Sequence, residues 1–346
     1  MAKLHFDTDY MRGAHPLIME KLFKTNLEQT PGYGTDEYTE RAKKLIREEC
    51  GSPEARIFFM VGGTQTNATV IDGILRHHQG VIAADSGHIN VHESGAIEAT
   101  GHKVLTLPGH DGKIDPNELE KYFTDFYNDD TYEHMVEPGL VYISYPTEFG
   151  TLYSLKELKA LKRICKKFNA PLYLDGARLG YGLAANPDIN LKVLSEICDV
   201  FYIGGTKVGA LFGEAVVIPK GKLIPRSIPL IKQHGALLAK GRLLGIQFET
   251  LFTDGLYTKI AENAITRATE LKEGFIKRGF RPFIDSPTNQ QFFNLPNKVI
   301  DRLMETASFE YWGPRGRESS TVRFVTDWAT EKTDIETLLS QIDQIS

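Results

Sequence analysis

Short apolar runs alternate with amphipathic stretches through the first two-thirds of the chain. Arg56–Val61 is such a run, ended by Gly62-Gly63, and reads as a buried strand. Thr64–His77 then sets Val70, Ile71 and Leu75 on one helical stripe that stops at Gly80. Val81–Ala84, Val104–Leu107, Leu140–Ser144, Pro171–Leu174 and Val200–Ile203 continue the strand series. Between them, Asp115-Pro116-Asn117-Glu118 is a helix start: an acid at the cap, proline in the first turn and glutamate three residues on. Ser154-Leu155-Lys156-Glu157 is a capping box, and Leu158, Leu161 and Cys165 carry its apolar face to Phe168. Strands separated by helices predict an α/β fold, a mostly parallel sheet covered on both faces. Such sheets hold ligands at the carboxyl ends of their strands.

The last third has a different rhythm. Leu237–Phe252 and Ile260–Arg278 read as long helices, Gln291–Leu295 and Val322–Val325 as strands, and Ile335–Ile345 as a closing amphipathic helix. The expected division is a large domain over 1–236 and a smaller α+β domain over 237–346.

Charge and composition narrow the function classes. A net charge of -5 argues against a phosphate-backbone partner, and the cluster Lys162, Arg163, Lys166 and Lys167 lies on one helix as a solvated face. No stretch approaches the ~20 apolar residues of a membrane span, and Met1–Asp9 lacks the apolar core of a secretory signal. Cys50, Cys165 and Cys198 are too few and too scattered for a disulfide framework or a zinc site. They read as small buried apolar residues, and a reducing cytoplasm is the expected home.

Candidate chemistry gathers just after strands. Gly62-Gly63-Thr64-Gln65-Thr66-Asn67 joins a strand to a helix start, either as an anion cradle or as a tight turn needing glycine for its backbone angles. Asp175, in Asp175-Gly176-Ala177-Arg178, is placed to hold a protonated ring nitrogen or to cap the next helix. Lys207, in Gly204-Gly205-Thr206-Lys207, is either an amine poised for imine formation or an exposed loop lysine. His88 follows another strand, with His92 and Glu93 close behind, and could stack on a flat ring or serve structurally. Lys207 is followed by Val208, so no triphosphate loop fits, and Gly180-Tyr181-Gly182 stands too far past its strand for a dinucleotide turn. His88 and His92 lack the intervening glutamate of a zinc-protease helix, so no metal is expected.

With these motifs in this order, the sequence resembles the threonine aldolases of the beta-eliminating lyase group, of the low-specificity type. The resemblance runs from Thr8-Asp9-Tyr10 to Arg323-Phe324-Val325-Thr326-Asp327-Trp328. It implies a fold-type-I pyridoxal-phosphate enzyme with a mostly parallel seven-stranded sheet and a smaller C-terminal domain. It also implies roles: Lys207 holding pyridoxal 5'-phosphate as a Schiff base, Asp175 paired with its ring nitrogen, and His88 stacked on the ring. Gly63 and Thr64 would bind the phosphate, helped by Arg242 from a neighbouring subunit. Thr8, Arg178 and Arg323 would grip a substrate carboxylate, with Tyr33 near the substrate across a dimer. Thr8 stands where the family usually has serine. Glu148 stands where many members carry a histidine near the substrate hydroxyl, which leaves Glu148, His88, His92 or a water to take that proton. The activity implied is cleavage of L-threonine or L-allo-threonine to glycine and acetaldehyde, in a homo-oligomer that is a dimer at minimum and a tetramer by expectation. The rivals are a β-eliminating lyase acting on another amino acid and a binding protein that keeps the fold without catalysis.

Overall fold

The computed structural model describes residues 3–345; Met1, Ala2 and Ser346, at the ends of the two expected domains, lie outside the described residues. The central sheet has seven strands: β1 (Arg56–Met60), β2 (Gln79–Ala84), β3 (Val104–Leu107), β4 (Glu137–Ser144), β5 (Leu172–Asp175), β6 (Val200–Gly204) and β7 (Glu214–Ile218). Their order is β1-β7-β6-β5-β4-β2-β3, and only β7 runs antiparallel to its neighbours. β7 is the strand that the alternating pattern did not predict. It follows β6 after a short turn with no helix between, which breaks the strand-helix rhythm on which the expectation rested.

Helices cover both faces. α1 (Glu37–Glu49) is held at its start by the Asp36 side chain, α3 (Pro116–Asn128) by Asp115, and α4 (Leu155–Lys167) by the Ser154/Glu157 capping box. α2 (Gly63–Ile74) is shorter than expected: it ends at Leu75, and Gly80 lies inside β2 instead of stopping the helix. α5 (Leu179–Ala185) follows β5. The helix expected from Leu237 begins at Arg242, as α6 (Arg242–Phe252), and a Cβ on Gly241 just before it would fall 2.4 Å from the Gly34 nitrogen. α7 (Leu256–Lys277) and α8 (Lys332–Ile345) complete the helices used below.

Strand alternation divides the sheet's side chains between two cores. Ile57, Val141, Leu172, Phe201 and Val217 face a core that also takes Phe248 and Leu251 of α6. Met60, Tyr142, Tyr173, Tyr202 and Val216 face the other, under α2 with Val70 and Ile71. A third core joins the second half of α7, α8 and a four-stranded antiparallel sheet that includes Gln290–Pro296 and Ser319–Val325. The N-terminal strand Leu4–His5 pairs in parallel with Ala307–Ser308, and Phe6 enters that third core.

The carboxyl ends of β5 and β6 approach through two glycines. Gly204 N–H donates to the Gly176 carbonyl at 2.9 Å, and a Cβ on Gly176 would fall 1.9 Å from the Tyr202 carbonyl oxygen. Backbone cannot give way there as a flexible side chain would. Gly176→Ala is therefore expected to lose roughly 3 kcal/mol, the upper end of overpacking costs, in a denaturant titration. A loss below about 1 kcal/mol would contradict this packing.

Candidate active site

Asp175 ends β5 on the same face as Tyr173, and the adjacent strands bring Tyr142 and Tyr202 to that face. Its Oδ2 accepts the Tyr142 hydroxyl at 2.6 Å and Asn67 Nδ2 of α2 at 2.9 Å. Oδ1 accepts the Tyr202 hydroxyl at 2.5 Å and the Ala177 N–H at 2.9 Å. Burial opposes ionisation, but the positive charge of His88 and the three side-chain donors outweigh it, holding the carboxyl below its ordinary value. The helix-cap alternative falls, since α5 starts at Leu179 with Arg178 at the cap position.

Lys207 leaves β6 through a tight turn in which Val208 and Ala210 both donate N–H to the Gly205 carbonyl. Its amine opens into a cavity of about 280 Å3 that Gly63, Thr64, His88, Asp175 and Thr206 also line. The Tyr10 ring stands beside it, with Nζ 6.0 Å from the centroid. Burial first, and the Arg178 charge second, hold the amine below the ordinary lysine range against the pull of Asp9, Glu148 and Asp175. Lys207 is thus a cavity amine with a lowered proton affinity.

The Gly62–Thr64 turn closes the far side of this cavity. Gly62 has φ -164° and ψ 165°, extended backbone that any residue adopts, and no side chain caps α2. A Cβ on Gly63 would stand 3.1 Å from the Tyr202 hydroxyl. Close approach, not backbone angle, is what the glycine provides, and the uncapped N–H groups of α2 remain for an anion.

His88 heads the short helix His88–Val91, with ring Nδ1 2.7 Å from Glu93 Oε1. That oxygen also accepts Asn67 Nδ2 at 2.7 Å, so His88, Glu93, Asn67 and Asp175 form one polar chain. Burial disfavours the imidazolium, but the Glu93 hydrogen bond and the charges of Glu148 and Asp175 raise the His88 pKa.

Two buried arginines face a second cavity of about 500 Å3, which Tyr10, His88, His92, Glu148 and Lys207 also line. Arg178 donates Nε and Nη2 to the two oxygens of Asp9 at 2.7 and 3.1 Å, leaving Nη1 for a ligand. Asp9 is opposed by burial, yet the Arg178 and Lys207 charges and the Asn289 amide at 3.0 Å bring its pKa down. Arg323 donates Nη1 to Gln290 Oε1 at 2.8 Å and Nη2 to Glu310, while its buried Nε has no partner among the described residues. Its guanidinium lies 5.2 Å from the Trp312 ring centroid.

Thr8 is buried beside Asp9, its hydroxyl without a partner among the described residues, but it does not line either cavity. Tyr33 and Arg242 stand apart from Lys207. Tyr33 is half exposed with φ 59° and lines a separate apolar hollow with Gly241, and Arg242 donates to the carbonyls of Asn26 and Glu28. The sequence expectation assigned both to a neighbouring subunit's site. Sequence reasoning missed Asp9, Asn67, Tyr142, Tyr202, Glu310 and Glu214 as site groups. Asn67 carried the one usable signal, as the third residue after Thr64 in a helix already read as a cradle.

Seven strands in this order, with ligand groups gathered at their carboxyl ends, define the fold-type-I class of pyridoxal-phosphate enzymes. Within it the chain belongs to the beta-eliminating lyase family, whose model matches residues 5–280. It is 27% identical over 346 residues to the low-specificity L-threonine aldolase of Pseudomonas sp. (strain NCIMB 10558), spanning 97% of this chain and 96% of the relative. A solved threonine aldolase of Leishmania major is 40% identical, covers 99% of this chain and 100% of its own, and superposes with a TM-score of 0.96. Aspartate aminotransferase of Thermus thermophilus, at 15% identity, superposes with a TM-score of 0.71 over 100% of this chain and 92% of its own, which shows the fold alone.

Removing the charge of Asp9 strands Arg178. Asp9→Asn is expected to cost about 3–5 kcal/mol of unfolding free energy, the usual penalty for orphaning one member of a buried ion pair. Denaturant unfolding reads this, and a near-neutral effect contradicts it. The titrations also have definite signs. The His88 contribution to stability is fully present below its ordinary pKa of 6.5 and is lost as pH rises through the raised folded value. The Asp9 and Asp175 contributions are present above 3.8 and are lost as pH falls through their depressed values. Glu93→Gln should shift the His88 ring titration, followed by NMR, to lower pH; an unchanged or higher midpoint rules out Glu93 as its partner.

Proposed function

We propose that the chain cleaves β-hydroxy-α-amino acids, L-threonine and L-allo-threonine, to glycine and an aldehyde, using pyridoxal phosphate. The observation that carries this reading is the pair of cavities that share Lys207, Glu148 and Arg178, one also lined by Asp175 and the other by Arg323. The donor set fits the cofactor: an uncapped helix start for its phosphate, a buried carboxylate for its ring nitrogen and a cavity amine for its aldehyde. When bound, the cofactor supplies an electron-withdrawing ring for the electrons of a bond broken at the amino acid's Cα.

The chain's own residues do the rest. Lys207 offers an amine whose proton affinity is already lowered, so less is lost in freeing its lone pair. Asp175, kept ionised by four donors, holds the proton of the ring nitrogen. The N–H groups at Gly63 and Thr64 seat the phosphate, and the His88 ring covers one side of the pocket. The guanidinium N–H groups that Arg178 and Arg323 do not spend on Asp9, Gln290 and Glu310 hold the substrate carboxylate and thereby turn its Cα–Cβ bond. Thr8 borders this grip through its neighbours Asp9 and Tyr10. We assign the substrate hydroxyl proton to Glu148, whose side chain lines both cavities beside Lys207 and Arg178, whereas His88 Nδ1 is already engaged by Glu93 Oε1.

The assembly is a homodimer at minimum, with sites shared between subunits. Tyr33 and Arg242 lie together where the Gly241 backbone meets Gly34, and Ile228, half exposed, lines the same hollow. This supports their delivery to a neighbour's cavity. Three free, buried cysteines fit a reducing cytoplasm, and no helix among the described residues is long and apolar enough to cross a membrane.

Incubation with L-threonine, L-allo-threonine, phenylserine and tryptophan should give glycine and the matching aldehyde from the first three, and no indole from the last. Glu148→Gln should lower kcat by ~10²–10⁴-fold while the protein keeps its cofactor colour. Indole formation, or an unchanged kcat in that variant, would overturn the respective assignment.

A further inference from the structure

Glu214 opens β7, a strand otherwise made of buried apolar residues, Ala215 to Ile218. Its register sets it beside Gly204 at the end of β6 and beside Met60 at the end of β1. Two residues beyond Met60 the chain enters the Gly62–Thr64 turn, and two beyond Gly204 it reaches Thr206. Alternation with Val216 and Ile218 turns Glu214 to the face that carries Tyr202 and lies under α2. Its side chain accordingly lines the same cavity as Gly63, Thr64 and Thr206.

The groups that hold its oxygens are both neutral. Oε1 accepts the Thr206 hydroxyl at 2.7 Å, and Oε2 accepts the Gly205 N–H at 3.1 Å. The Thr206 hydroxyl itself accepts the Gly213 N–H at 3.0 Å, so both of its roles are used and it has no hydrogen left for a ligand. The ionisable groups that face Glu214 are Lys207 after β6, Asp175 and Tyr173 on β5, Tyr202 on β6 and Tyr257 on α7. Burial pushes its pKa up to about 8, with Thr206, Lys207 and Gly205 opposing and Asp175 adding to the rise. An ionised carboxylate here would confront an incoming phosphate inside a buried cavity, and like charges at such a site favour the protonated form of one of them.

We propose that Glu214 serves as a neutral acid that donates its hydrogen to an oxygen of the cofactor's phosphate, taking a proton from solvent when the cofactor enters an ionised site. No covalent bond changes beyond that O–H: the proton leaves solvent and stays on the glutamate. The proposal rests on the reading of the Gly63–Thr64 turn as the phosphate seat. It adds a donor where surrounding chemistry would otherwise present an acceptor, and it makes loading of the cofactor sensitive to alkali.

The test strips the full-length protein of cofactor and reloads it above pH 8 in two weak buffers of different ionisation enthalpy, counting protons by calorimetry. Wild type should take up close to one proton more with pyridoxal phosphate than Glu214→Gln does. Its affinity should fall about tenfold per pH unit relative to that of the variant on the alkaline side. Both should show the visible absorbance of the bound cofactor, because glutamine keeps an N–H donor. Pyridoxal, which has no phosphate, should erase the difference between the two proteins. Equal proton counts with pyridoxal phosphate overturn the proposal, as does a difference that persists with pyridoxal, since that proton would belong to Lys207. If the glutamine variant does not fold, the wild-type counts with pyridoxal phosphate and with pyridoxal decide alone: equality overturns the role. Failure of the underlying reading has its own mark, a wild type that gains no visible band at all.

Discussion

Asp175 is a negative charge kept in the interior of a sheet, and much of the seven-stranded sheet and its helices is arranged around keeping it ionised. An isolated buried carboxylate is costly and neutralises unless its oxygens are fully occupied. Here the donors come from separate parts of the chain: Tyr142 on β4, Tyr202 on β6, Asn67 on α2 and the backbone of Ala177. Each of those elements must dock in register before the acid is satisfied. The same docking brings β6 against β5 through Gly176 and Gly204, which sets where the chain turns to present Lys207. The requirement for one stable charge thus fixes the spacing between the acid and the amine.

A second buried charge ties the N-terminal arm to both sheets. Asp9 takes two donors from Arg178, which follows β5, and one from Asn289, which immediately precedes the small sheet's strand Gln290–Pro296. The arm reaches that point because Leu4–His5 has joined Ala307–Ser308 as a parallel pair. Arg323, from the small sheet, faces the same cavity as Arg178, with its Nε unpartnered among the described residues. Two cations from two sheets therefore converge where one would repel the other in the absence of acids. Asp9 and Glu310 offset that repulsion, and a ligand carboxylate is the natural further counter-charge.

Much of this was legible in the sequence. Val104–Leu107 matches its strand residue for residue, and the Asp115 and Ser154 starts cap their helices as their side-chain chemistry requires. Asp175, Lys207 and His88 were legible because they follow strands, whereas Glu148, Arg323 and the role of Arg178 came from the resemblance; the fold sets all six around the two cavities. β7 was not, because a four-residue apolar run behind Glu214, with no preceding helix, gives no periodic signal of its own. Asp9, Tyr142, Tyr202 and Glu214 were hidden for a related reason. For Asp9, Tyr142 and Tyr202 the importance lies in partners that the fold brings across 27 to 280 residues of chain, and for Glu214 in the cavity it shares with Gly63 and Thr64; no local spacing encodes either. Tyr33 and Arg242 were named from resemblance, and within one chain they stand together on another surface.

Every part of the account requires that the amine bonded to the cofactor be that of Lys207. Reduction of the freshly purified protein with borohydride, followed by digestion and mass spectrometry, locates the cofactor on the chain. The account predicts a single pyridoxyl-modified peptide carrying Lys207, and modification of any other lysine with Lys207 left free would contradict it.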